Sequence, residues 1–160
     1  MAALIVLPTL RKSQVRKARG NGLFLKNMLK IDANILLRYL LNDHAELSPK
    51  AKEILDQHTV EVPIEVLCEA VYVLNGHYSI DRQSVTKELI RFFEQTQCLL
   101  PHRKAVLQGL EYFGKTNLDF VDCVLAGYSE IEKDEIFTFD HKLKKLIMEI
   151  LNRLPLNYLG

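Results

Sequence analysis

The chain is 160 residues long, 48% apolar and 26% charged, with a formal net charge of +1, the composition of a single globular domain able to bury its own core. No stretch approaches the ~18 consecutive apolar residues of a membrane-spanning helix, which leaves out a membrane protein. The three cysteines, Cys68, Cys98 and Cys123, are far apart and form no CxxC pair, which argues against a disulfide framework or a zinc site and fits reduced thiols in the cytoplasm.

In chain order, residues 1–27 come first as a basic start. They hold six basic residues (Arg11, Lys12, Arg16, Lys17, Arg19, Lys26) and no acidic one, so the remaining 133 carry 15 basic against 20 acidic side chains, a net of −5. Such an arm reads as a nucleic-acid tail or a targeting segment, but a secretory signal does not fit, because the charges follow the apolar run Ala3–Leu7. A second reading makes Met28 the true start and residues 1–27 a disordered or mis-called extension. The folded domain is expected over residues 28–150, with 151–160 as a C-terminal tail.

Strand-like apolar runs occur at Met28–Ile31, Thr59–Pro63, Gln97–Leu100 and Glu135–Phe139, with helical patterns between and after them. Ile35–Leu41 is apolar nearly all round and should be buried on most sides. Ser48–Gln57 opens on a Ser48-Pro49 cap pair. Ile64–Asn75 places Ile64, Leu67, Val71 and Leu74 on one face, with Gly76 as its stop. Asp81 caps a helix reaching about Gln95, with Val85, Leu89, Phe92 and Phe93 inward. Helices over Lys104–Tyr112, Asp119–Lys133 and His141–Ile150 follow. Strands alternating with helices predict an α/β domain in three layers, α/β/α, around a central, mostly parallel sheet.

In such a sheet, active groups collect outside the carboxyl ends of the strands. Asp32 and Asp140 both end strand-like runs, so both should reach that rim. Each alone would read as a helix N-cap. In the helix that begins LDFVDC, Phe120, Val121, Val124, Leu125, Tyr128 and Ile131 form one stripe, while Cys123, Ala126 and Gly127 leave the other side small enough for close packing. Asp119 fits the N-cap; Asp122, in the first turn of a helix covered on both sides, has no such simple role, because an unpaired buried carboxylate is disfavoured.

The segments KIDANILLRYLL, VPIEVLCEAVYVL, LDFVDCVLAG and FTFDHKL, in this order between Met28 and Leu146, resemble the PIN-domain ribonucleases, and closely the VapC-type toxins of type II toxin–antitoxin pairs. The resemblance places the family's four acids on Asp32, Glu69, Asp122 and Asp140, as catalytic residues and metal ligands. It makes Asn34, Asp119 and Thr138 supporting residues, Asn34 and Thr138 as hydrogen-bond donors that orient the acids. Glu69 is promoted by the resemblance alone; on a helical wheel it lies opposite the Leu67–Val71–Leu74 stripe, on a solvated face, with Glu65 as its competitor.

Two carboxylates ~4 Å apart repel by ~4 kcal/mol at an effective dielectric near 20, so four converging acids require a cation. Oxygen donors without His or Cys select Mg²⁺, with Mn²⁺ as a substitute. The resemblance therefore implies a Mg/Mn-dependent endoribonuclease, with an RNA substrate, a cognate antitoxin that occludes the groove, and a homodimer. Arg38, Lys142, Lys144 and Lys145 near the rim are weak candidates for phosphate contacts, and His141 reads as a solvent-facing neighbour of Asp140. The alternative from another class is a catalytically inactive PIN-like module that binds RNA or protein. Receiver domains and haloacid-type phosphatases fit poorly, since Asp32-Ala33-Asn34 offers neither an acidic pair nor Asp-x-Asp; flap nucleases are larger and carry more acids.

If the basic start is dispensable, a chain beginning at Met28 keeps its circular-dichroism melt and its RNA cleavage. Loss of either upon truncation assigns a role to residues 1–27.

Overall fold

In a computed structural model, which describes residues 29–153, Leu29–Lys30 (β1) pairs in parallel with Val60–Glu61 (β2), Leu29 opposite Val60 and Lys30 opposite Glu61. The expected extension 1–27, Met28 of the first expected strand and residues 154–160 of the expected tail lie outside the described residues. A single parallel bridge, Glu61 to Leu99, adds a third segment: Leu99 N–H donates to Val60 O at 2.8 Å, and Val62 N–H to Leu99 O at 2.9 Å. The α/β character with parallel pairing is present, but the expected central sheet is only partly formed among the described residues, and the helices dominate. The strand expected over Glu135–Phe139 is not formed: the segment is irregular, with Phe137 and Phe139 fully exposed. Its alternation of apolar residues supplies strand propensity, but no described neighbour pairs with its backbone.

Among the described residues seven α-helices follow the expected order: Ala33–Leu41 (α1), Leu47–Gln57 (α2), Ile64–Tyr72 (α3), Arg82–Gln95 (α4), Arg103–Lys115 (α5), Phe120–Ile131 (α6) and His141–Arg153 (α7). α1 packs against α2 and α3. Leu36, Leu37, Tyr39, Leu40 and Leu41 are all buried, and burying each Leu stabilises the fold by about 1.5–3 kcal/mol. Asn42, left-handed at φ 48°, closes the helix. In α4, Val85, Leu89, Phe92 and Phe93 point inward and Asp81 accepts from Ser84 N–H at 2.9 Å, as expected.

Three local expectations are corrected. α2 starts at Leu47, and Ser48 lies inside it, buried, its Oγ accepting from His44 N–H. The capping acceptor is instead His44 Nδ1, which takes the N–H groups of Glu46 and Leu47 at 3.3 and 3.2 Å. Gly76 does not stop α3: the chain widens into a π-helical turn over Val73–His77 that contains it. α5 runs through Gly114 to Lys115.

The small side of α6 is where α5 lies, and it is more buried than the large apolar stripe, from which Val121 and Ile131 remain exposed. A Cβ on Gly127 would collide with the carbonyl oxygen of Ala105, and one on Gly109 would meet Val124 Cα at 2.9 Å. Gly127→Ala is therefore expected to destabilise by about 1–3 kcal/mol. Gly76→Ala, where nothing lies within 4 Å of the added carbon, should be neutral or slightly stabilising. Urea unfolding midpoints of the two variants test this contrast.

Candidate active site

β1 and β2 run the same way, so Asp32 and the start of α3 leave the sheet from one edge. Asp32 is exposed and caps α1, its Oδ1 accepting from Ile35 N–H at 2.9 Å. That leaves Oδ2 without a capping duty. Asn34 is exposed in the first turn of the same helix. Glu69 is exposed in the second turn of α3, as the helical wheel implies, and α3 packs against both α1 and α6. Asp122 is half-buried in the first turn of α6. Asp140 caps α7, its Oδ1 accepting from Lys142 N–H at 2.8 Å and Leu143 N–H at 2.9 Å. Thr138 supports it differently from the donor role expected: its Oγ1 accepts from the backbone N–H of Asp140 at 3.0 Å, fixing the turn that aims the carboxylate. Asp119 occupies the N-cap position of α6, yet its side chain makes no cap hydrogen bond.

The structure brings Asp122, Asp119 and Asp140 into one electrostatic neighbourhood. Burial raises the Asp122 carboxyl above the ordinary aspartate value, and the negative charges of Asp140 and then Asp119 raise it further. Asp140 moves the other way, held down by the Leu143 and Lys142 amides and by the charges of Lys142 and His141. Asp140 thus ionises first, and Asp122 keeps its proton longer. Asp32 and Glu69 are not among the charges that act on Asp122, and neither lines the cavity beside the α6 acids. Among the described residues no three Asp, Glu, His or Cys side chains stand close enough together to hold a metal ion.

A cavity of about 460 Å³ opens beside the α6 acids, lined by Asp119, Asp122, Tyr72, Asn75, Arg82 and Cys68 among others. A somewhat larger one, about 520 Å³, lies between α4 and α5 against Lys87, Arg91, Glu94 and Glu111, remote from all four expected acids. The smaller cavity is the one joined to the chemistry. Burial, followed by the charge of Glu65, raises the Cys68 thiol, which keeps it protonated and a poor donor to a hard cation.

Arg82 escapes sequence reading. Its Nε donates to Phe113 O at 2.8 Å, its Nη2 to Leu118 O, and its guanidinium stacks 3.8 Å over the Phe113 ring. These partners lie 31 and 36 residues away, so no local pattern announces them. They tie α4 to the loop that launches Asp119. Of the expected phosphate contacts, Arg38 is engaged by Asp43 at 2.6 Å and by the Tyr78 hydroxyl at 3.1 Å. Lys142, Lys144 and Lys145 are exposed on α7.

Residues 30–147 match the model of the PIN domain, and the chain belongs to that family. The match runs from β1 into α7 and includes Asp32, Glu69, Asp122 and Asp140. PIN domains are α/β folds that generally act as nucleases and typically use divalent metal ions. No curated protein and no solved structure matches the chain. No helix among the described residues is long and apolar enough to cross a membrane.

The raised Asp122 carboxyl makes a signed prediction. A group whose folded value lies above its unfolded one binds its proton more tightly when folded, so metal-free stability falls as pH rises from the ordinary aspartate value through the raised one. Asp122→Asn should match the parent at low pH and exceed it in stability at neutral pH, as read from thermal melts in chelator across that range. A variant less stable than the parent at neutral pH would show that Asp122 is a structural carboxylate with a partner.

Proposed function

We propose that this protein is a Mg²⁺-dependent endoribonuclease, with Mn²⁺ able to substitute, and the toxin of a toxin–antitoxin pair. The observation that carries the reading is the PIN match, which spans Asp32, Glu69, Asp122 and Asp140, with Asp140 and Asp119 near enough to Asp122 to add to the rise that burial gives its carboxyl. Such a group is short of positive charge, and its donors are all hard oxygens. Asp32, Asp122 and Asp140 would hold the ion, and Glu69 would bind it directly or through water. A bound divalent ion supplies hydroxide near neutral pH by lowering the pKa of its water.

The chain's own residues set the stage for that chemistry. The Lys142 and Leu143 amides keep Asp140 ionised and ready as a ligand. Thr138 fixes its backbone, and Asp32 offers the oxygen its cap bond leaves over. Asn34 and Asp119 are supporting residues, Asp119 with a carboxylate unused by its helix. Lys142 and Lys145 would meet RNA phosphates; Arg38 would do so only by giving up Asp43. The toxin assignment, a cognate antitoxin over the acidic edge, a homodimer and a cytoplasmic setting rest on the likeness of FTFDHKL, LDFVDC and KIDANILL to VapC-type sequences. The non-cutting module is the second reading, because among the described residues no three ligand side chains stand within metal-holding reach.

Purified protein with Mg²⁺ or Mn²⁺ should cut cellular RNA to 5′-phosphate and 3′-hydroxyl ends, and chelator should stop it. Asp32→Asn should reduce cleavage by about two orders of magnitude or more, at least the loss expected for a residue that only supports a ligand. Equal cleavage by parent and variant would identify a contaminant; no cleavage and no Mg²⁺-induced rise in melting temperature would favour the non-cutting module.

A further inference from the structure

Arg82 lines the cavity that also holds Asp119 and Asp122, yet among the described residues it forms no ion pair with either acid or with any other carboxylate. Its guanidinium is engaged elsewhere. Nε donates to the Phe113 carbonyl at 2.8 Å, Nη2 donates to the Leu118 carbonyl, and the group lies 3.8 Å from the centre of the Phe113 ring. Phe113 stands in the last turn of α5 and Leu118 just before α6, so one side chain grips both ends of the link over residues 116–119. The Phe113 ring in turn meets that of Phe120, the first residue of α6, edge to face at 5.7 Å. Inside the link, Thr116 Oγ1 accepts from Leu118 N–H at 3.3 Å, and the Asp119 carbonyl accepts from Cys123 N–H at 3.0 Å to begin the helix. Asp119 and Asp122 thus sit on a backbone whose entry into α6 is held by a side chain of α4.

We propose that Arg82 is a positioning residue of the acid edge: by gripping the Phe113 and Leu118 carbonyls it fixes the first turn of α6, and so sets how tightly that edge takes a divalent cation. The inference rests on the metal-dependent reading above and adds a residue to it. The contacts call for arginine. A planar fork meets two carbonyls in fixed directions while its face stacks on a ring, whereas an ammonium is a point donor without a face. Donors spent on carbonyls are not spent on Asp119 or Asp122, whose oxygens stay open to another partner. A positive charge lining the same cavity would by Coulomb's law alone oppose the arrival of a second cation. Charge and geometry therefore make opposite predictions for its removal. A bare field effect gains affinity for the cation; loss of positioning lowers it.

Mn²⁺ affinity of the full chain, read from the electron paramagnetic resonance of the free ion, is compared among the parent, Arg82→Lys, Arg82→Met and Thr86→Val. The last removes a hydroxyl that bonds the Leu110 carbonyl across the same two helices, α4 and α5, away from the acids. Hydrogen exchange of residues 118–123 is followed in parallel, in chelator. Arg82→Lys and Arg82→Met should each weaken Mn²⁺ binding about tenfold, the lower end for a residue that orients ligands, and speed the exchange. Thr86→Val should match the parent in both. Parent-like affinity in both Arg82 variants overturns the inference. So does tighter binding by Arg82→Met, which would make Arg82 a charge and not a clamp, or an equal weakening in Thr86→Val, which would make the effect one of overall stability. A parent that takes up no Mn²⁺ removes the ribonuclease reading instead. The metal-free exchange then still decides the clamp, and unchanged exchange in the Arg82 variants overturns it.

Discussion

The acids of α6, Asp119 and Asp122, are placed by a backbone contact between two helices. Gly109 of α5 and Gly127 of α6 have no Cβ, and the Ala105 carbonyl and Val124 Cα stand where those carbons would be. Such an approach leaves α6 little freedom to slide or turn. Its first turn carries Asp122, its N-cap position Asp119, and α7, led by Asp140, packs on its flank. Arg82 clamps the loop before it through Phe113 and Leu118. A substitution deep in the α5–α6 seam would therefore disturb the acid edge without touching a carboxylate.

Capping and metal binding are often weighed as rival roles for an aspartate, and here they are compatible. Asp32 and Asp140 each use one oxygen, Oδ1, on helix N–H groups. A carboxylate has two oxygens and about four lone-pair sites, so capping orients it and leaves an oxygen for another partner. It also lowers the proton affinity of Asp140, which a cation ligand needs. Asp119 and Asp122 are the reverse case: neither oxygen pair is claimed by the α6 cap, and Asp122 bears the repulsion.

Much of the helical frame was legible, because 3.6-residue periodicity reports burial directly. The inward faces of α3 and α4 and the small side of α6 are where the pattern puts them. What failed were features decided by partners distant in the chain or by competing local groups. His44 outcompeted Ser48 as the cap of α2, since an imidazole nitrogen two and three residues upstream of the free amides reaches them and the Ser48 hydroxyl is turned inward. Gly76 reads as a stop because glycine so often ends helices, yet at this position the chain widens into a π turn. The alternation in Glu135–Phe139 shows strand propensity, but a strand needs a neighbour to pair with, and propensity cannot supply one. The site divides the same way. Asp32, Asp140 and Asp122 stand out by position; Glu69 is visible only by family likeness; Arg82 has no signature at all.

The opposed shifts of Asp122 and Asp140 link protons to any cation the edge receives. Asp140 is ionised at lower pH than an ordinary aspartate, so it presents a charge early. Asp122 holds its proton because burial disfavours its charged form and, after that, because Asp140 and Asp119 beside it are negative. A divalent ion at this edge would offset the part of that shift that comes from the neighbouring charges and would so favour ionised Asp122. Such binding would release a proton wherever Asp122 is still protonated, and its affinity would climb with pH until that carboxyl is ionised on its own. The repulsion that adds to the cost of an ionised Asp122 in the metal-free fold would then be relieved by the ion, and that part of the instability at Asp122 would enter the affinity for the cation.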